Sequence, residues 1–154
     1  KTPKVGEQSP PFILPGSNNT DKIKENWSLN DFRGTWLIVY FYPRDFTNGC
    51  TIEARNFNKL LPYFAENNAK IVGISADTVL DHNSFCTSEE LDFPLLSDIS
   101  GDTSKRYGSW EKPFSARNTF LIDPSGVIRY KWISVRPYKH GNEVLSTLIT
   151  LQKS

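Results

Sequence analysis

Cys50 is the residue of this chain whose type and position most clearly allow chemistry. The apolar run Trp36–Phe41 comes before it, a polar loop with Pro43 and Gly49 follows that run, and a helix-forming segment starts at the cysteine itself. A thiol at a helix N-terminus lies near unpaired backbone N–H groups, whose partial positive charge favours the thiolate. The thiolate is the nucleophilic form of cysteine, so this position predicts a reactive thiol.

Thr47 lies three residues before Cys50 and can offer a hydroxyl to the same place. Taken from the residues alone, Cys50 has a second interpretation, because it begins an apolar helical face and could be a buried, inert cysteine. Pro62 lies within this helix and predicts a kink or an interruption near its middle. The apolar face consists of Cys50, Ala54, Phe57, Leu61 and Phe64.

The rest of the chain alternates between apolar runs and amphipathic segments, which predicts an α/β fold around one sheet. The last two strands are joined through Asp-Pro-Ser-Gly at 123–126, which predicts an antiparallel hairpin. The stretch 17–24 is polar and is expected to be an exposed loop. The predicted strands are Phe12–Leu14, Trp36–Phe41, Ile71–Ile74, Leu95–Leu96, Thr119–Ile122 and Val127–Ile133, and the predicted helices cover 50–66, 78–88, 103–108 and 141–151.

Length and composition limit the function classes. With 154 residues, the chain has room for one domain, residues 1–154, around a single core. A net charge of +1 gives no reason to expect nucleic acid or an anionic membrane as a partner. No apolar run approaches the roughly 18 residues of a membrane span. Two cysteines are too few for a disulfide scaffold or a thiolate zinc site, so no metal is predicted.

The numbered chain begins at Lys1 and contains no methionine. It therefore lacks its initiator and is expected to be either trimmed or processed. No leader with an apolar core is visible. A cytoplasmic location is expected, with a cleaved-leader form (periplasmic or organellar) as the alternative.

The pattern Pro43-x-x-x-Thr47-x-x-Cys50 resembles the signature of the peroxiredoxins, thiol peroxidases that reduce hydroperoxides. The extension Gly49-Cys50-Thr51-x-Glu53-Ala54 resembles one branch, the bacterioferritin-comigratory-protein or Q-type peroxiredoxins. One departure is Asn48, where that family often has proline. Further segments fit the branch in order, namely Phe93-Pro94-Leu95-Leu96-Ser97-Asp98, Arg117-Asn118-Thr119-Phe120-Leu121-Ile122-Asp123 and His140-x-x-Glu143-Val144-Leu145.

The resemblance implies a thioredoxin fold, a central mixed sheet flanked by helices, with the N-terminal extension of the peroxiredoxins. It also implies that Cys50 is the peroxidatic nucleophile and that Thr47 and Arg117 hold the peroxide oxygens. Pro43 would shield the thiolate from bulk water. Each supporting residue also has a structural interpretation: Thr47 is a good helix N-cap, Pro43 can simply end a strand, and Arg117 can be a solvated arginine at a strand edge.

Two further residues are expected to support the site, Gly49 and Glu53. Glu53 lies in the first helical turn and could orient Arg44 or Arg117. Its alternative role is to complement the helix dipole as an acidic residue near the N-terminus.

The resemblance also offers a role for Cys86. Many members of the branch carry a resolving cysteine five residues after the first, where this chain has Arg55. Others place it in the following helix, at about the separation between Cys50 and Cys86. Cys86 is therefore predicted to be the resolving thiol, with a core cysteine beside Phe85 as the alternative.

The predicted function is a monomeric two-cysteine peroxidase that is recycled by thioredoxin or a similar dithiol protein and needs no cofactor. Nothing after Cys86 contains a thiol, which favours the monomer. Two alternatives stay open: a one-cysteine peroxidase resolved by an external thiol, and a redox-sensing interaction module. No cysteine–histidine arrangement follows from the spacing of His82 and His140, and His140 is expected to be a capping or surface residue.

Overall fold

The computed structural model describes residues 1–18 and 23–154. The strands are β1 (Ile13–Ser17), β2 (Ile23–Ser28), β3 (Trp36–Phe41), β4 (Ala69–Ser75), β5 (Leu95–Ser97), β6 (Trp110–Glu111), β7 (Phe114–Ser115), β8 (Asn118–Ile122) and β9 (Ile128–Trp132). The helices are α1 (Asn48–Glu66), α2 (Val79–Glu89), α3 (Asp102–Arg106) and α4 (His140–Gln152), with a short 3₁₀ helix at Leu29–Phe32.

Seven of these strands form one mixed sheet in the order β2-β1-β5-β4-β3-β8-β9. The three central strands β5, β4 and β3 are parallel, while β8 pairs antiparallel with β3 and β9 antiparallel with β8. The predicted hairpin at 123–126 is therefore confirmed. A mixed sheet flanked by helices is the predicted thioredoxin-type architecture, and that prediction is also confirmed.

Strand β3 lies at the centre of the molecule and is buried along its whole length. Its residues alternate between two apolar clusters: Ile38 and Tyr40 face the cluster that contains α1 and α4, while Val39 and Phe41 face the cluster on the opposite side. A strand with both faces covered has no polar side, which explains the unbroken run of apolar residues.

Helices α1 and α2 lie on the same face of the sheet. They connect β3 to β4 and β4 to β5, three parallel strands that are neighbours in this order, and such crossovers have one hand. Cys50 on α1 and Cys86 on α2 therefore belong to the same core cluster. This topology brings the two cysteines of the chain into one packed region.

The N-terminal region differs from the sequence-based expectation. The first strand does not end before Pro15 but continues to Ser17, with an irregular register between Leu14 and Gly16 that accommodates the proline. Gly16 allows β1 to approach β5, since a Cβ at this position would lie 2.6 Å from the carbonyl oxygen of Leu95. The prediction of a loop over 17–24 is also wrong at both ends, because Ser17 belongs to β1 and β2 begins at Ile23. Positions 19–22 of the predicted loop lie outside the described residues.

Helix α1 also departs from expectation at two points. It begins at Asn48, two residues before Cys50, and it runs to Glu66, so the interruption expected at Pro62 does not occur, while the alternative of a kink there stays a prediction. Pro62 is exposed, so the carbonyl that its missing N–H leaves unpaired can be hydrated. None of the helices in the described parts of the chain is both long and apolar enough to cross a membrane.

Candidate active site

Cys50 lies in the first turn of α1, and its side chain is buried. The N-cap residue is Thr47, whose backbone is extended, but its side chain makes no capping hydrogen bond. The first N–H groups of a helix have no intrahelical acceptor. With no side-chain cap on them, they are available to a negatively charged sulfur or a bound oxygen.

The Thr47 hydroxyl donates instead to the carbonyl oxygen of Arg44 at 2.8 Å. The predicted capping role of this threonine therefore holds for its backbone position but not for its side chain. Because the hydroxyl proton is donated to the carbonyl oxygen of Arg44, the Thr47 oxygen keeps lone pairs that can accept a hydrogen bond from a bound molecule. Pro43 lies half-buried in the same loop.

Arg117 comes directly before β8 and reaches the start of α1. Its Nη1 donates to Oε1 of Glu53 at 2.9 Å, and its side chain is 17% exposed. A Cβ at position 49 would lie 3.0 Å from Nη2 of Arg117, so Gly49 leaves room for the guanidinium at the helix N-terminus. Burial opposes the charge on Arg117, but the nearby Glu53 and Cys50 outweigh it and raise the pKa of the guanidinium.

Glu53 therefore pairs with Arg117, one of the two partners predicted for it. Its carboxyl group is completely buried, and Oε2 has no hydrogen-bond partner among the described residues. Burial raises the pKa of Glu53 to about 7, although the charge of Arg117 opposes this shift. The carboxylate thus holds the guanidinium in place while remaining poorly solvated itself.

The segment after β9 supports Arg117 from behind. The backbone N–H of Val135 donates to the carbonyl oxygen of Arg117 at 2.7 Å. Pro137 lies against the start of α1, since its Cγ would be 3.2 Å from a Cβ at Gly49. Sequence reasoning did not find these two residues, because their contacts join positions far apart in the chain.

Cys86 is buried like Cys50, but it lies in the second half of α2 and not in the first turn of a helix. It is completely buried, and its Sγ lies 3.7 Å from the carbonyl oxygen of Ser17, at weak hydrogen-bond distance. Burial, with a smaller contribution from the charge of Asp45, raises the pKa of the Cys86 thiol to about 12. Both cysteines are free thiols here, so Cys86 is a protonated and inaccessible group in this state.

The two histidines are both buried, and neither is a surface residue. His140 opens α4, where Nδ1 lies 2.8 Å from Oε1 of Glu143 and Nε2 lies 2.8 Å from Oγ1 of Thr119. The expectation of a capping or surface role is therefore wrong on both counts, since His140 is buried and the N-cap of α4 is Lys139. Burial lowers the pKa of His140, against the opposing effect of Glu143.

His82 belongs to a second buried polar group that sequence reasoning missed. Ligand atoms of Asp45, Asp77 and His82 all lie within 4.8 Å of one another. Both ring nitrogens of His82 already have hydrogen-bond partners, Asp45 and the carbonyl oxygen of Leu96. The imidazole therefore has no free lone pair to offer a metal ion.

Comparison with known proteins decides the family. The sequence profile of the AhpC/TSA family matches residues 5–131. The chain belongs to this family. A curated relative, Peroxiredoxin Bcp of Xanthomonas campestris, is 37% identical over 90% of this chain and 87% of its own length.

Solved structures agree with this assignment. A cysteine-to-serine mutant of PrxQ from Xylella fastidiosa is 34% identical, covers 97% of both chains and superimposes with a TM-score of 0.85. Two further cysteine-to-serine mutants, of Peroxiredoxin Q from Xanthomonas campestris, are 34% identical with a TM-score of 0.79 and cover 89% of this chain and 90% of theirs. The prediction of a Q-type peroxiredoxin is confirmed, and the chain is a thiol-dependent peroxidase.

The buried carboxyl of Glu53 gives a prediction about stability. The folded protein binds the Glu53 proton more tightly than the unfolded chain, because the pKa rises from 4.5 to about 7. The stabilisation from this group is complete below pH 4.5 and is lost as the pH rises through about 7. Such a shift corresponds to about 3 kcal/mol. The free energy of unfolding of Glu53→Gln, relative to that of the parent, should therefore rise by about 3 kcal/mol between pH 4.5 and pH 8. Urea unfolding at both pH values measures this difference.

Glu66→Gln is the matched control, because Glu66 is an exposed residue of the same helix. Its stability relative to the parent should be the same at both pH values. If the free energies of unfolding of Glu53→Gln and the parent differed by the same amount at the two pH values, the result would contradict the claim that the Glu53 carboxylate is buried and poorly solvated.

Proposed function

We propose that Cys50 is the peroxidatic nucleophile and that Arg117, Thr47 and the first N–H groups of α1 bind the hydroperoxide. The observation that carries the proposal is the placement of Arg117 against Gly49 by the buried Glu53. A guanidinium fixed there can stabilise both the thiolate and the negative charge that develops on the leaving oxygen. Positioned donors of this kind are the main means by which a protein accelerates such a reaction.

In the first step, the Cys50 thiolate attacks the terminal oxygen of the hydroperoxide. A sulfur–oxygen bond forms while the oxygen–oxygen bond breaks, and the electron pair leaves with the alkoxide or hydroxide, which takes up a proton. The products are an alcohol or water and Cys50 sulfenic acid. Thr47 accepts a hydrogen bond from the peroxide, and Pro43 shields the Cys50 thiolate from bulk water.

In the second step, the Cys86 sulfur attacks the sulfenic sulfur of Cys50. A disulfide forms, and the sulfenic oxygen leaves as water. The substituted positions in the two cysteine mutants of the Xanthomonas campestris protein are separated by the same number of residues as Cys50 and Cys86, which supports this pairing. A dithiol protein of the thioredoxin type then reduces the disulfide by exchange.

The complete burial of Cys86 favours one alternative, a one-cysteine peroxidase in which an external thiol reduces Cys50. In the two-cysteine cycle, by contrast, we expect helix ends to open, so that the Cα atoms of Cys50 and Cys86 come within about 7 Å of each other, as a disulfide needs. Opening the end of a helix is inexpensive compared with global unfolding. We therefore retain the two-cysteine cycle as the proposal.

A monomer with one domain over residues 1–154 completes the proposal. One sheet takes strands from Ile13 to Trp132, and α4 packs on α1, which supports a single folding unit. Light scattering of the reduced and oxidised protein should give the monomer mass in both states. The cytoplasmic location stays a prediction that cell fractionation can test.

Arg117→Ala should slow the reaction of Cys50 with peroxide about a hundredfold, because one preorganised donor commonly contributes about 3 kcal/mol. Stopped-flow measurement of the first oxidation step gives this rate constant directly. Arg129→Ala is the control, since Arg129 pairs with Asp123 at the β8–β9 hairpin. A rate constant for Arg117→Ala within twofold of the parent would show that the arginine does not act on the peroxide.

The mass of the protein after one equivalent of peroxide should separate the two cycles. The parent should lose two hydrogens by forming the Cys50–Cys86 disulfide, whereas Cys86→Ser should gain one oxygen as sulfenic acid and Cys50→Ser should not react. Persistent sulfenic acid in the parent, with unchanged thioredoxin-dependent turnover of Cys86→Ser, would replace this proposal by the one-cysteine peroxidase.

A further inference from the structure

The loop that leads to Cys50 is tied to helix α2 by a buried hydrogen-bond network. Oδ2 of Asp45 lies 2.7 Å from Nδ1 of His82, and the side chains of Asp45 and His82 are 1% and 0% exposed. The Tyr42 hydroxyl donates to the other carboxyl oxygen of Asp45 at 2.6 Å. The backbone N–H of Asp45 donates to Oδ2 of Asp77 at 2.9 Å. This network joins the end of β3 to α2, and its Tyr42, Asp45 and His82 side chains are buried, whereas Asp77 is partly exposed.

The partners of His82 determine where its protons are. Nε2 lies 2.9 Å from the carbonyl oxygen of Leu96, which can only accept, so Nε2 carries a proton. A hydrogen bond between Nδ1 and Oδ2 of Asp45 then needs one further proton. With this proton on Nδ1 the contact is an imidazolium–carboxylate pair, and with the proton on Oδ2 it joins a neutral imidazole to a carboxylic acid. In both cases it is a short hydrogen bond in a dry environment, which is expensive to leave unpaired.

An aromatic contact lies beside this network. The ring of Phe46 meets the ring of Phe85 edge to face, with centroids 5.0 Å apart. Phe46 has a φ of 65°, a left-handed backbone conformation that is rare for a bulky side chain. It is also 56% exposed. The loop therefore holds a strained residue against α2, which requires compensating contacts nearby.

Both contacts on α2 lie next to Cys86. His82 and Cys86 are four residues apart and so share one face of the helix, and Phe85 is the immediate neighbour of Cys86. Burial, followed by the charge of Asp45, raises the pKa of the Cys86 thiol. The same contacts thus keep Cys86 buried and protonated. If α2 opens, the thiol gains both access to Cys50 and a return toward ordinary ionisation.

We propose that Asp45, Phe46, His82 and Phe85 form a latch that controls how often Cys86 leaves the core to resolve oxidised Cys50. The proposal rests on the proposed function, in which Cys86 is the resolving thiol. His82 and Asp45 are then positioning residues for the second step. With the latch closed, Cys50, Thr47 and Arg117 are in place to react with peroxide. With the latch open, Cys86 can reach oxidised Cys50. The latch therefore sets the balance between the peroxide reaction and disulfide formation.

Opening can be measured without peroxide chemistry in a Cys50→Ser background, where Cys86 is the single thiol. The probe is iodoacetamide, and mass spectrometry gives the rate at which Cys86 is alkylated. Cys86 in His82→Gln should be alkylated about tenfold faster or more, because glutamine can still donate to the carbonyl of Leu96 but leaves Oδ2 of Asp45 without its imidazole partner. Leu80→Ala, at an exposed residue of the same helix, should stay within twofold of the background.

A rescue experiment separates the latch from a general packing role of His82. Adding Asp45→Asn to His82→Gln removes the stranded carboxyl charge and supplies an amide that can pair with glutamine. The alkylation rate should fall back toward the background value. A rate that stays the same or rises in the double variant would show that His82 acts through packing and would overturn the latch.

Two further measurements cover the case in which His82→Gln does not fold. Phe46→Ala removes an exposed ring and leaves no cavity in the core, and it should also increase alkylation of Cys86. The increase should depend only weakly on low concentrations of urea, as opening of one helix does, whereas global unfolding depends steeply on urea. Unchanged alkylation in Phe46→Ala, or a steep urea dependence, would contradict the latch.

The functional consequence is a split between the two steps of one turnover. In single-turnover experiments with both cysteines present, His82→Gln should form the disulfide several-fold faster while the rate constant for peroxide stays within twofold. Slowing of both steps together would overturn the proposal. If alkylation responds as expected but the parent forms no disulfide, the resolving role of Cys86 fails and the latch remains as a control of α2 opening.

Discussion

A buried carboxylate that faces a single arginine is the interaction on which the site depends. Glu53 has no contact with solvent, and only one of its oxygens meets Arg117 among the described residues. A well-packed apolar residue in its place would commonly make the fold as stable or more stable. What the carboxylate achieves is position: it fixes the guanidinium beside Gly49 at the first turn of α1, where Cys50 lies. The protein thus accepts a less stable fold at Glu53 in exchange for a positioned charge on Arg117.

The topology then gives two cysteines opposite properties within one core cluster. Cys50 follows β3, at a helix N-terminus with unpaired N–H groups and Arg117 nearby, whereas Cys86 lies inside the helix that follows β4. Thiol reactivity depends on the fraction of thiolate, and that fraction follows the local electrostatics. Burial raises the pKa of Cys86 to about 12, which is consistent with the proposal that Cys50, and not Cys86, reacts first.

Sequence reasoning recovered the elements whose signal is local and missed the interactions that join distant positions. β3 and α1 were predictable because a doubly covered strand and a long apolar face leave strong patterns. β2 was not, because a mostly exposed edge strand is stabilised by pairing with β1 and shows no apolar alternation. For the same reason His82 and His140 were not placed in the interior: their partners Asp45 and Thr119 are 37 and 21 positions away.

The site must satisfy two demands that conflict. In the proposed mechanism, reaction with peroxide requires that Arg117 and the start of α1 be held rigidly, whereas formation of the Cys50–Cys86 disulfide is expected to require movement of helical segments. The distribution of contacts offers a way around the conflict: Arg117 directly precedes the buried strand β8 and is held by Glu53, while the loop after β3 contains the strained Phe46 and contacts α2 through His82 and Phe85. Segments with few apolar contacts open most easily. The loop and α2 can therefore open while the sheet that holds Arg117 stays intact.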